Sequence, residues 1–351
     1  MLGFSVYLGE PFDEDYIEMM LREGSKYIFT SLQIPEDDSA QYIDKLQDLR
    51  HIIGDRAEII ADASPHAFQN LGLSYDEPTV LKEMGIDWIR LDISMDVRSI
   101  VLLLDEVKIV CNASTDAIDL LHKLSHENID MSRIMVAHNY YPRPETGLDR
   151  EYFKAQNQEI KVHFPDVSIM AFVPGTTYRG PVFKGLPTLE DHRHTHPLVA
   201  AYELLQFGVD DICIGDSYMQ STSLFQLSNY IHNGIVSLYV TSESSYLDSV
   251  IGKVFHNRKD KARDVIRAEE ARTQHNQQDI HPEQTVTRSK GAITLDNIMY
   301  GRYMHELQIA KVNLERHEGI NVIGYVCKQD IECIDIIDSG QAFQFVKGEE
   351  T

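Results

Sequence analysis

Asp211-Ile212-Cys213-Ile214-Gly215-Asp216 is the stretch on which the fold of this chain turns. It is a short apolar run ending in glycine and an acid, and it is the eighth of its kind. Reading back from it, the others are VSIMAFV (167–173), IMVAHN (134–139), VKIVCN (107–112), WIRLDI (88–93), EIIADA (58–63), YIFTSL (27–32) and GFSVYL (3–8). Between them lie longer stretches, such as 16–23 and 40–53, with apolar residues every three or four positions, the spacing of an amphipathic helix. Gly24, Gly54, Gly85 and Gly208 each follow such a stretch, where a helix-ending glycine belongs. Alternation alone also fits a doubly wound open sheet. A count of eight, with polar residues gathered at the C-terminal ends of nearly every run, favours a (β/α)8 TIM barrel over residues 1–232.

Downstream the texture changes. VSLYVTS, DVIRAEE, GAITLDN, HELQIAKVNL, INVIGYV and IDIID read as strands with few helical patterns between them, so residues 233–351 are expected to form a small, mainly-β domain. The polar stretch from Arg272 to Lys290 is expected to be a loop or flap.

The 351 residues are 43% hydrophobic and 25% charged, the balance of a globular protein. Lys and Arg number 32 against 55 Asp and Glu, a formal charge of −23, which repels nucleic acid and anionic lipid alike. No nucleic-acid or membrane partner is therefore expected. The N-terminal stretch has no basic region before its apolar run, so a signal peptide is not expected. Cys111, Cys213, Cys327 and Cys333 lack CxxC spacing and fall mostly in apolar runs, as buried thiols of a reducing, cytoplasmic compartment do.

In a barrel, chemistry sits at the strand ends and in the loops that follow them. Glu36, Asp62, Asp92, Glu145, Glu190 and Asp216 occupy such positions. Paired carboxylates there suit glycoside cleavage, one protonating the leaving oxygen while the other attacks or activates water. Each acid taken alone reads better as a helix cap, a loop salt bridge or a solvated acid, and the set also suits a metal-dependent aldolase or epimerase. Arg143, Arg179, Lys184 and Arg193 cluster with Gly175, Gly180 and Gly185 after the sixth and seventh runs. Arginine forks match phosphate oxygens, and glycine amides can approach an anion closely; the competing reading is that these arginines brace the rim acids. Asn112, His138, Asn139 and Tyr141 complete the candidate substrate contacts, with Tyr140 and Tyr141 as a platform for a sugar ring. His192, His194 and His196 alternate, yet their spacing matches no established zinc motif, so neither metal nor cofactor is expected. There is no GxGxxG, GxxxxGK[ST] or GxSxG.

SLQIPE (31–36), HNYYPRPETGL (138–148), RGPVFKGLPTLEDHR (179–193), HNRKD (256–260) and GAITLDNIMYGRYMHELQI (291–309) resemble the bacterial family that contains the 6-phospho-N-acetylmuramidases of peptidoglycan recycling. The resemblance runs over essentially the whole chain. It implies a barrel followed by a cyclophilin-like module. It also implies exo-cleavage of the β-1,4 bond in 6-phospho-N-acetylmuramyl-N-acetylglucosamine, giving N-acetylmuramic acid 6-phosphate and N-acetylglucosamine. Two segments depart from the family pattern: ISMDVRS (93–99) stands in place of a glycine- and aromatic-containing turn, and Met304-His305 in place of glycine beside Glu306.

Catalysis is thus expected from Asp62, Asp92, Glu145, Asp216 and Glu36. Substrate contacts fall on Asn112, His138, Asn139, Tyr141, Arg143, Arg179, Gly180, Lys184, Glu190, His192 and Arg193, with the phosphate on Arg179 and Arg193, assisted by Lys184 or Arg143. Asn257, Arg258, Asp296, Asn297 and Arg302 of the second module are expected to help close the barrel mouth. A non-catalytic sugar-phosphate-binding regulator is the alternative from another class. The oligomeric state is open, with a homodimer as one arrangement.

Overall fold

The computed structural model describes residues 1–34, 41–64, 67–68, 71, 78–91, 96–115, 117–242, 244–271 and 279–348. Glu36 and Asp92 lie outside the described residues, as do residues 93–95 of ISMDVRS and residues 272–278 of the expected flap. The chain divides into two compact units, Met1–Ser228 and Asn229–Thr351.

In the first unit the apolar runs become β1 (Leu2–Ser5), β2 (Tyr27–Ser31), β3 (Glu58–Ala63), β4 (Trp88–Leu91), β5 (Lys108–Asn112), β6 (Ile134–Ala137), β7 (Ser168–Val173) and β8 (Asp211–Ile214). All pair in parallel in sequence order, and β8 pairs back to β1 through Gly3 opposite Cys213 to close the barrel. Closure explains why these runs are apolar throughout: one face fills the barrel and the other lies under the helices. Phe29, Ile60, Val110, Ala137, Met170, Phe172 and Cys213 pack inside. The helices start and stop where local chemistry dictates. Asp13 accepts from the Tyr16 amide at the start of Glu14–Arg22, and Asp149 accepts from the Glu151 and Tyr152 amides at the start of Arg150–His163. Gly24 and Gly208 turn the chain at φ +88° and +84°, which costs a residue without a Cβ little.

The second unit is a seven-stranded sheet. It contains β9 (Ile235–Ser242), β10 (Val254–His256), β11 (Val265–Arg267), β12 (Ala292–Asp296), β13 (Leu307–Ala310), β14 (Ile320–Val326) and β15 (Ala342–Lys347), in the order β10-β15-β9-β14-β12-β13-β11. IDIID is not a strand: Lys328–Ile336 is a 3-10 helix that buries Cys333, Ile334 and Ile336. The last strand is AFQFVK, whose alternating burial presents Phe343 and Phe345 to the core. Asn257 Nδ2 donates to the Ile337 and Asp338 carbonyls, and Asn297 Nδ2 to the Glu318 carbonyl and Asn321, so both are spent inside their own unit. Arg258 pairs with Asp260 at 2.9 Å. His305, in the Met304-His305 pair that departs from the expected glycine, holds φ +75°, the left-handed region that glycine adopts readily.

Candidate active site

The ends of β2, β3, β4 and β6 surround a cavity of about 200 Å³ at the C-terminal face of the barrel, the face where barrel enzymes place their chemistry. Phe29 and Phe172 form its apolar floor, with ring centroids 5.0 Å apart, and Tyr140 stands edge-on to both. The polar wall is a linked set. Asp62, 8% exposed, accepts from Arg90 Nη1 at 2.7 Å through one oxygen and from Gln33 Nε2 at 2.6 Å through the other. Arg90 Nη2 donates to Asn139 Oδ1, which turns the Asn139 amide nitrogen away from the arginine. The cavity thus offers a carboxylate, an arginine fork and an amide in fixed orientation, which can grip hydroxyl, amide or carboxylate groups of a ligand.

Behind this wall stands a supporting layer. The Asn139 backbone N–H donates to Ser114 Oγ at 3.0 Å, and the Asn139 backbone carbonyl accepts from the Thr188 hydroxyl. His138, wholly buried, sits between Asn157 Oδ1 (2.7 Å from Nε2) and Ser114 Oγ (3.3 Å from Nδ1). Asn157 Nδ2 donates to the Phe207 carbonyl, so its Oδ1 must accept and the His138 proton resides on Nε2. Burial pushes the imidazole down to about 4, and it is neutral at ordinary pH. Asn112 Oδ1 accepts from the Ser114 amide. His138, which also lines the cavity, and Asn112, both expected among the substrate contacts, bear through Ser114 on the position of Asn139.

In the loops after β6 and β7 the expected site residues meet partners within the protein. Asp216, expected to be catalytic, has no exposed surface and accepts from the Gly175, Arg179 and Leu186 amides at 2.9, 2.9 and 3.0 Å. The anion that these loop amides greet is the protein's own carboxylate. Glu190 likewise accepts from the Glu145 and Gly147 amides, and Arg193 grips it. Arg193 is 3% exposed and also donates to the carbonyls of Tyr141, Gly185 and Arg143, so no donor is left to take a phosphate. His192 is buried against Glu203 at 2.8 Å. Glu145 is exposed at φ +72°, held by its backbone and absent from the cavity wall. Gly180 lies under the Phe183 ring, where a Cβ would stand 2.9 Å from that ring.

Cations remain on the rim. Arg143 and Lys184 are exposed, while the Arg179 guanidinium lies 3.9 Å above the Tyr7 ring and 3.5 Å from Glu10. Tyr7 was hidden in the first apolar run. Its hydroxyl donates to the Gly215 carbonyl, and burial raises both this phenol and that of Tyr140, the latter to about 12. Its place two residues beyond β1 is the signal that could have marked it as a mouth residue. Among the described residues no group of three His, Cys, Asp or Glu side chains is arranged to hold a metal.

Two solved structures resemble the chain over its full length. One is a conserved protein of unknown function from Enterococcus faecalis, 37% identical, covering 99% of this chain and 96% of that one, with a TM-score of 0.84. The other is an uncharacterized B. cereus protein, 26% identical, covering 99% of both chains, with a TM-score of 0.76. No curated protein matches the chain. Family models described as the N-terminal and C-terminal parts of 6-phospho-N-acetylmuramidase match residues 2–229 and 236–346. The chain belongs to the 6-phospho-N-acetylmuramidase family and is a glycosidase.

Proposed function

We propose that this glycosidase cleaves 6-phospho-N-acetylmuramyl-β-1,4-N-acetylglucosamine to N-acetylmuramic acid 6-phosphate and N-acetylglucosamine, as a cytoplasmic step of peptidoglycan recycling. The observation that carries the reading is the Asp62–Arg90–Asn139 set at the barrel mouth, a carboxylate held between fixed donors beside a sugar-sized recess. Asp62 stands beside the anomeric carbon, where it attacks the carbon or orients the substrate's own 2-acetamido group. The proton for the leaving oxygen comes from Glu36 or Asp92, which follow Gln33 and Arg90 closely in sequence. Arg179, with Arg143 or Lys184, receives the phosphate, whose charge of roughly −2 needs a local cation on so acidic a protein. Four free cysteines support a reducing compartment. The seven-stranded second unit is a cyclophilin-like module without prolyl isomerase activity, since a fold does not confer a site.

The test is to incubate the purified protein with the phosphorylated disaccharide and follow release of N-acetylglucosamine. Wild type should release it, and Asp62→Asn should lower kcat by at least about a hundredfold. Binding of the disaccharide with no release by wild type would overturn the reading in favour of a receptor.

A further inference from the structure

Next to the Asp62 cavity lies a second, of about 190 Å³ against about 200 Å³ for the first. It opens between the segment that follows β1 and the one that follows β8, on the same end of the barrel. Tyr7, Glu10, Phe12, Tyr16, Ser217 and Tyr218 line it, and the rings of Tyr16 and Tyr218 are 4.8 Å apart. The partition between the two recesses is a pair of tyrosines. Tyr7 borders the second cavity and Tyr140 borders the first.

The two recesses differ in charge. The first carries Arg90. The second is lined by Glu10 and Asp13; Lys45 lies over the Phe12 ring at 5.0 Å, and Arg179, over Tyr7 of the partition and 3.5 Å from Glu10, is the cation at the boundary between the two recesses. An anionic group is disfavoured there, whereas an uncharged sugar ring suits aromatic faces edged by a carboxylate and a hydroxyl that bond its own hydroxyls. The geometry points to this second cavity as the recess for the leaving N-acetylglucosamine, with Tyr218 and Phe12 against the ring and Glu10 and Ser217 on its hydroxyls. The assignment rests on the disaccharide reading, which requires two adjoining recesses, and it sets the scissile oxygen over the Tyr7–Tyr140 partition.

Two measurements test it. The first compares kcat/KM on the phosphorylated disaccharide with that on the methyl glycoside of N-acetylmuramic acid 6-phosphate, which has no second ring. In Tyr218→Ala and in Phe12→Ala the ratio should fall about tenfold, as loss of an aromatic contact implies. The second follows N-acetylglucosamine alone by saturation-transfer NMR: it should bind wild type and lose its signal in both variants, each checked for a wild-type melt. An unchanged ratio in both folded variants, or N-acetylglucosamine that fails to bind wild type or binds the variants equally, would overturn the assignment. If wild type cleaves neither glycoside, the disaccharide reading falls, and the NMR measurement still decides what the cavity holds.

Discussion

Arg193 holds Glu190 with two parallel bonds, Nε to Oε1 and Nη2 to Oε2, both 2.7 Å. The same guanidinium reaches the carbonyls of Tyr141 and Gly185, so one buried side chain ties the loop after β6 to the loop after β7. Arg193→Ala is expected to leave Glu190 and several carbonyls without donors and to cost about 3 kcal/mol. Activity on phosphorylated and unphosphorylated disaccharide should fall alike. A selective loss on the phosphorylated one, at unchanged melting temperature, would return Arg193 to the phosphate site.

Arg179 should behave in the opposite way. A charged hydrogen bond contributes about 1.5–3 kcal/mol, so Arg179→Ala should weaken the phosphorylated substrate roughly 10- to 150-fold. Residual activity on the unphosphorylated disaccharide should be largely spared. Equal losses on the two substrates would sink the assignment.

The Arg193 side chain, together with the Glu145 and Gly147 amides, lowers Glu190 from 4.5 to about 2. The folded form therefore binds this proton less readily than the unfolded chain. The contribution of the pair is full above about pH 4.5 and is lost as pH falls towards 2. Denaturant titrations of wild type and Glu190→Gln should differ most above pH 4.5 and converge near pH 2. A constant difference across that range would contradict the linkage.

His138 gives another acid limb. Its imidazole is lowered by burial from 6.5 to about 4, so the unfolded chain takes up the proton first as pH falls. Stability should be full above pH 6.5, decline between 6.5 and 4, and lose nothing further from this group below 4. His138→Gln should flatten that part of the profile. A variant that keeps the same slope would show that other groups cause it.

Phe183 is 62% exposed and adopts φ +53°, a strained conformation for a bulky side chain. Relief of that strain outweighs the chain entropy that glycine adds, so Phe183→Gly should raise stability by about 1 kcal/mol. Chemical denaturation measures it, and a loss of stability would show that the ring's contact with Gly180 is worth more than the strain.

The barrel could be read from the chain because its cause is local and repeated. A strand buried on both faces must be apolar throughout, and DICIGD, VSIMAFV and their fellows carry that requirement in the order in which they pair. Asp62 was legible for the same reason, as a polar residue at the end of such a run. What the sequence could not show was which charges are already satisfied. Asp216 and Glu190 look like rim acids, and Arg193 like a phosphate ligand, until the loops fold over and bring amides and carbonyls from distant segments against them. The 3-10 helix at Lys328–Ile336 escaped for a related reason: IDIID has the alternation of a strand, and only packing of Ile334 and Ile336 in the second unit chose the helical turn. Periodicity records which side of a segment is buried. Pairing between segments far apart in sequence is a three-dimensional matter, and it decided which of the charged residues remain free to meet a substrate.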